Sequence, residues 1–458
     1  MGKRIARVAG LLVLALLLAA AVVFRPDRAI RTGTGMTAHN LCDAVFTQNV
    51  DPDQTFRELV RPMAGPIGGA LSYRIDRPGR AVRASLMGLF AARAEWTEGY
   101  GCRMALGQSH PPLPPLPTAA PSPPDGFAPP TVVEPGDPAL RAAFDREFAD
   151  LPGEPPRHVK AVVIVKDGKV AAERYAPGYG VDTPLLSYSV AKSFTNAVLA
   201  ILVREGRLRV DDPVGAPEWS RPGDPRAALT LDALLRMESG LAAAETGSGF
   251  DPASQMLYIE DDMAHFAASH PLKTPPGREW EYTSADTLIL DRRLGQAIGG
   301  AAEGFRAFAD RELLGPLHMD RTTLEFDGAG VFSGSANVYA PARAYARFGL
   351  LYLNDGVAPD GRRILPEGWV AYSRRSTLGA PYGAGFWTLD GPSRQAAFLV
   401  RKGFPQDGFY ASGNRGQRIY IVPSEHLVMT RNGYTGGDGQ GVREDMTLLK
   451  AAIAALAK

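Results

Sequence analysis

The amino-acid sequence predicts an α+β fold: an antiparallel sheet flanked by helices, a mainly helical subdomain, and a small N-terminal extension. Three observations carry this. Two β-branched-rich runs, 159–165 and 169–175, flank the hairpin signal Asp167-Gly168. Further strand-like runs fall late in the chain, at 385–389, 417–422 and 427–431, ahead of a closing helix over 443–457. Between these groups, from Thr230 to Leu353, apolar residues recur at helical spacing, in 231–237, 287–298, 301–314 and 341–353. The two ends of this region are therefore expected to share one sheet, with the helical part inserted between them.

Composition bounds what the chain can do. Of 458 residues, 45% are hydrophobic and 22% charged, which allows one large core and one small one. Lys and Arg number 50 against 49 Asp and Glu, evenly mixed, so the footprint of a nucleic-acid binder is missing. Lys3, Arg4 and Arg7 precede an uncharged apolar run, 8–24, and residues 1–28 read as a signal peptide or an N-terminal membrane anchor. The anchor is preferred because the run lacks the polar, small-residue stretch a peptidase needs. Either way the body is expected to be exported, to the periplasmic face of the inner membrane or beyond it. Residues 29–109 form a small N-terminal region of mixed strand-like and helix-like pieces. It holds the only two cysteines, Cys42 and Cys102, and an even count in an exported chain points to a disulfide. Residues 110–138, with PPLPPLP, APSPP and APP, favour extended polyproline backbone and read as a linker. The main domain follows over 139–458.

The chemistry is concentrated at Ser189-Val190-Ala191-Lys192, which opens an apolar helical run ending near Gly206. Residues three apart share a helix face, so the Ser189 hydroxyl and the Lys192 amine can meet. A Ser hydroxyl needs a base, and a Lys amine is one only when neutral. The positive end of the helix dipole and partial burial both disfavour the ammonium form, so the Lys192 pKa is expected to fall. The bland reading is an N-cap serine and a solvated lysine. A capping box would instead place Glu or Gln at the lysine position, and a cation in the first turn opposes the dipole.

Two further segments gain meaning beside that pair. In Trp280-Glu281-Tyr282-Thr283-Ser284, Tyr282 is the titratable group, and a cationic lysine nearby would lower its phenol pKa from about 10 and let it exchange protons. Ser284 alone reads as the N-cap of the next helix. In Ser412-Gly413-Asn414-Arg415-Gly416-Gln417, glycines allow close approach to a backbone, and a strand edge there could offer N–H groups to an oxyanion together with the Ser189 amide.

The order of SVAK after a hairpin, LTLDALLRMESGL, WEYTSAD, ARFGLLYLNDG with RRILPEGWV, and GNRGQRIYIVP resembles the class C β-lactamase-related serine hydrolases of the penicillin-recognising superfamily. YTSAD and ILPEGWV resemble most closely the 6-aminohexanoate-dimer hydrolase-like branch, and the resemblance covers roughly residues 140–458. It implies a β-lactamase/transpeptidase-like fold in which Ser189 is acylated, Lys192 and Tyr282 handle its proton and that of the leaving group, and water releases the acyl group. It also implies substrate or oxyanion contacts from Ser284, Asn414, Arg415, Gly416 and Gln417. Ser284 stands where such β-lactamases carry Asn. Asn414 stands where relatives carry Lys or His, with Arg415 as a candidate replacement. Gly416 and Gln417 fall where the oxyanion strand is expected, Gln417 contributing its backbone amide.

The expected function is thus a serine hydrolase that acts through an acyl-enzyme on an amide or ester, with a small-molecule or peptide substrate and neither cofactor nor metal. An α/β-hydrolase elbow, G-x-S-x-G, is missing from the sequence. His265 and His270 lack an H-E-x-x-H pattern, and His158, His318 and His426 are scattered. The competing expectation is a catalytically inactive, membrane-anchored penicillin-binding-like protein that recognises envelope peptides. Asn414 favours it, and the joint presence of Ser189, Lys192 and Tyr282 opposes it.

Overall fold

The computed structural model describes residues 24–107, 113–116, 123–150, 152–436 and 442–457. The apolar run 8–24 lies, except for Phe24, outside the described residues, and so does part of the Pro-rich stretch. No helix among the described residues is long and apolar enough to cross a membrane.

The extension is built from helix α1 (Pro26–Cys42) and strands β1 (Leu71–Asp76), β2 (Ala81–Leu86), β3 (Leu89–Thr97) and β4 (Gly101–Met104), which pair in that order as an antiparallel sheet. Met36, Ala38 and Leu41 of α1 pack on Val82, Ala84 and Ala94 of the sheet. Cys42 at the end of α1 is bonded to Cys102 of β4.

The main domain begins with helix α2 (Pro138–Phe148), capped by the Asp137 carboxylate, and the hairpin β5 (Val159–Lys166) and β6 (Lys169–Tyr175). Helix α3 (Ala191–Arg204) carries the nucleophile motif at its start, and helix α4 (Pro252–Ile259) follows. Helix α5 (Ser284–Ile298) and helix α6 (Ala342–Leu353) form the helical part. Strands β7 (Trp387–Thr388), β8 (Phe409–Gly413), β9 (Gln417–Val422) and β10 (Leu427–Gly433) precede the closing helix α7 (Val442–Leu456). The large sheet runs β7-β8-β9-β10-β5-β6, antiparallel at every step, so its C-terminal strands pair with the first hairpin.

Alternation along β5 explains the unbroken apolar run seen in the sequence. Val162 and Ile164 face a core with Phe144 of α2 and Leu449 of α7, while Val163 and Val165 face the opposite core with Phe194 of α3 and Phe348 of α6. Phe194 stacks on Phe348 with ring centroids 4.1 Å apart, fixing α3 against α6. Helix α3 is buried from Ala191 to Leu202, apolar through its second half, with Lys192, Ser193, Thr195 and Asn196 buried in its first half by hydrogen bonds. Strand β8 replaces part of the loop expected around 412–417. Its Tyr410 and Ala411 are buried by pairing with Tyr420 and Ile419.

The described part of the Pro-rich stretch is extended but tied down. Phe127 is buried, its carbonyl accepts from the Val170 N–H at 2.9 Å, and Asp125 takes both Arg347 N–H groups. Extension and main domain also share buried polar contacts. The Tyr339 hydroxyl donates to Asp43 at 2.8 Å, the Cys102 N–H donates to Glu325 at 2.6 Å, and His39 pairs with Glu325 at 3.0 Å. Burial disfavours charge on His39, but Glu325 and Asp43 outweigh it and push its pKa up to about 9. Helix α1 crosses α4 so closely that a Cβ on Gly35 would lie 2.7 Å from the Tyr258 carbonyl oxygen.

The disulfide closes a loop with a sequence separation of 60, and in the chain-entropy picture a closure of that size stabilises by about 4 kcal/mol. Cys42→Ala with Cys102→Ala, or reduction of the native chain, is expected to lower the Tm of the extension by several degrees. An unchanged melting curve would contradict this.

Candidate active site

Ser189 lies in a short 3-10 turn, Tyr188–Val190, that leads directly into α3, and Lys192 follows in the first turn of the helix. The Lys192 Nζ is 3.1 Å from Ser189 Oγ, 3.0 Å from Ser284 Oγ and 2.9 Å from the Ser335 carbonyl oxygen. Its side chain is 2% exposed, and no carboxylate among the described residues is within ion-pair distance of it. Burial lowers its pKa, and the negative charges of Glu245 and Asp291 work in the opposite direction without reversing the shift.

Hydrogen-bond inventory then orients the amine. A carbonyl can only accept, so one N–H is committed to Ser335. A neutral amine has one more N–H and a lone pair to share between the hydroxyls of Ser189 and Ser284, each of which can donate or accept. Ser284 thus serves the lysine, and the N-cap of α5 is Thr283, whose Oγ1 accepts from the Ala285 N–H at 3.2 Å.

The Lys192 Nζ sits 4.8 Å from the Tyr282 ring centroid, which places the phenol beside the amine. Contrary to the expected lowering, the Tyr282 pKa is raised: burial dominates, Tyr382 and Glu245 add to it, and the Ser189 hydroxyl opposes it. The physical reason is that burial of the phenol itself disfavours the phenolate more than its neighbours favour it. Tyr282 is held by a ring cluster, with Tyr382 and Trp387 each 5.6 Å away between centroids.

The third segment needs a correction. The backbone beside the nucleophile is the end of β8: a Cβ on Gly413 would lie 2.2 Å from the Ser187 carbonyl oxygen and 3.1 Å from the Ser189 nitrogen, so only glycine fits. Ser412, Gly413, Asn414 and Arg415 line the cleft. Gly416 and Gln417 do not line it, because the chain reverses through Arg415 and Gly416, both at positive φ, and brings Gln417 onto β9 opposite Gly413. The Gln417 side-chain amide, as distinct from its backbone N–H, is spent on the fold: its Nε2 donates to the Gly433 carbonyl at 2.5 Å, and its Oε1 accepts from the Gly433 N–H at 3.2 Å.

Three contributors were not found from the sequence. Glu245 lines the cleft and accepts from the Ser284 N–H at 2.6 Å, capping α5 with a carboxylate. Ser335 supplies the carbonyl for Lys192. Asp291 of α5 accepts from the Gly334 N–H at 3.1 Å and from Thr195 Oγ1 at 2.7 Å, which holds the loop bearing Ser335. Its one visible signal is an acid directly after the apolar run Leu288–Leu290. Cys42 and Cys102 lie in the extension, where they bond to each other away from these groups.

A partly exposed serine, a buried lysine without a counter-ion, a phenol and a strand edge packed against the serine amide meet in one cleft on a β-lactamase/transpeptidase-like fold. The beta-lactamase family matches residues 144–433, and the chain belongs to that family. It is 28% identical over 224 residues to the 6-aminohexanoate-dimer hydrolase of Paenarthrobacter ureafaciens, covering 46% of this chain and 55% of that protein. It is 25% identical over 286 residues to Penicillin-binding protein 4 of Amycolatopsis lactamdurans, covering 54% of this chain and 71% of that one. The crystal structure of a penicillin-binding protein homolog from Caulobacter crescentus superposes with a TM-score of 0.54 at 21% identity, covering 71% of this chain and 99% of that one. The chain therefore spans about half the length of the curated hydrolase it matches.

Because the charge of Glu245 supports the ammonium form, Glu245→Gln is expected to lower the Lys192 pKa further. The acid limb of kcat/KM for an activated ester then moves to lower pH. A limb that stays in place or moves up would contradict the assignment.

Proposed function

We propose that the protein is a serine hydrolase that cleaves an amide or ester bond through an acyl-enzyme on Ser189. The observation that carries this is the 3.1 Å contact between Ser189 Oγ and the buried Lys192 amine, whose other partners are the Ser284 hydroxyl and the Ser335 carbonyl. Membership of the beta-lactamase family supports hydrolysis as the class of reaction.

Neutral Lys192 takes the hydroxyl proton as Ser189 Oγ bonds to the substrate carbonyl carbon. The oxyanion is received by the Ser189 N–H and by the strand edge at Gly413 and Asn414. Tyr282, kept protonated by its raised pKa, gives its proton to the leaving nitrogen or oxygen as that bond breaks, and is reprotonated from the Lys192 ammonium. Water then attacks the acyl-enzyme, loses a proton to Lys192, and the proton returns to Ser189 as the carboxylic acid departs. The same reading places the chain outside the cytoplasm, supported by the Cys42–Cys102 bond, which persists in oxidising compartments.

A fluorophosphonate is expected to add mass at Ser189 in the native chain and none in Ser189→Ala. Lys192→Ala is expected to abolish labelling with the far-UV spectrum unchanged, and Tyr282→Phe to slow amide turnover by about 10²–10⁴-fold. Folded protein without an adduct on Ser189, or full labelling of Lys192→Ala, would refute the proposal.

A further inference from the structure

The cleft beside Ser189, about 520 Å³, has two unlike walls. The main domain contributes the polar groups Ser189, Glu245, Ser284, Asn414 and Arg415 together with apolar Leu257 and Trp387, and Thr32 is the one polar side chain from the extension. The opposite wall comes from the extension, which lies wholly outside residues 144–433. There Ala29, Gly33 and Met36 of α1 and Met63, Ala64 and Ile67 of the following turns face the cleft, with no charged side chain among the extension residues that line it. The nearby charge of α1 is drawn away, since Arg28 bonds Gln255 at 2.6 Å and pairs with Glu260.

This wall is held in place. Gly35 seats α1 against the backbone of α4, and the extension also reaches the residue before the nucleophile, where the Tyr188 hydroxyl lies 3.2 Å from Met63 Sδ. Tyr188 and Met63 pack in one cluster with Leu59, Leu186 and Tyr339. The ring neighbours of Tyr282, the leaving-group acid, are instead Trp280, Tyr382 and Trp387. The extension therefore flanks the peptide that carries the nucleophile.

We infer that the extension is a substrate subsite, and that its wall receives an unbranched apolar chain on the acyl side of the scissile carbonyl. Methionine side chains adapt to a flexible chain, and Ala29 with Gly33 leaves the groove between them. An apolar substrate face gains by leaving water here, whereas a charged acyl group would meet no partner on this wall.

The inference rests on the hydrolase reading for which bond is cut, and the test separates the two. Turnover of p-nitrophenyl acetate, butanoate and octanoate is measured for the native chain, Ile67→Asp and Ala29→Asp, both changes at partly exposed positions. Binding of the same esters to Ser189→Ala, with and without Ile67→Asp, is measured by calorimetry. The native chain is expected to prefer octanoate over acetate in kcat/KM by about tenfold or more, and each Asp variant to remove most of that ratio. A ratio unchanged in both variants, or a native preference for acetate, would overturn the inference. No turnover, with octanoate binding that tightens over acetate and is lost in Ile67→Asp, would support the subsite and reject the hydrolase reading. No turnover with equal binding of all three esters would overturn both.

Discussion

A lysine amine buried without a counter-ion is the constraint on which the site depends. An ammonium in that position would lack a carboxylate partner and the water that solvates it outside, so burial lowers the Lys192 pKa toward the neutral form. Much of the surrounding architecture keeps it there. Helix α3 is buried on all faces, Ser335 and Ser284 hold the amine in place, and Asp291 holds the loop that presents Ser335. The raised pKa of Tyr282 comes from its own burial, so desolvation acts on both groups and pushes their pKa values in opposite directions. Glu245 acts as a counterweight: it caps α5 while restraining how far the lysine pKa falls.

Much of this was legible in the chain because it is local. Ser189 and Lys192 sit one helical turn apart, and the hairpin and C-terminal strands carry their own turn and alternation signals. The paired ends of the sheet followed from those strands. What was not legible depends on loops and on backbone. Ser335 acts through a carbonyl, which no side-chain pattern announces. Glu245 lies between helices in a segment without periodicity. Strand β8 ends in Ser412-Gly413, which reads as a turn, so the strand edge packed against the Ser189 amide could not be read from the sequence. The expected fall in the Tyr282 pKa weighed a neighbouring charge and not the burial of the phenol, which is the larger effect.

The extension shows the same limit at larger scale. Its residues facing the cleft are alanine, glycine, methionine, isoleucine and one threonine, in no chemical motif, so their placement emerges only from where α1 and the turn after it are docked. The glycine that permits the docking is a weak point of an isolated helix and a requirement of the packed one. The family match, residues 144–433, begins after this region.

The most direct measurement is the titration of Lys192 itself, by 13Cε and 15Nζ shifts assigned through Lys192→Arg. The account predicts a midpoint clearly below the ordinary lysine value of about 10.4, with the amine neutral over a range where other lysines are charged. A midpoint at or above that value would contradict it, since a protonated amine could not take the proton from Ser189.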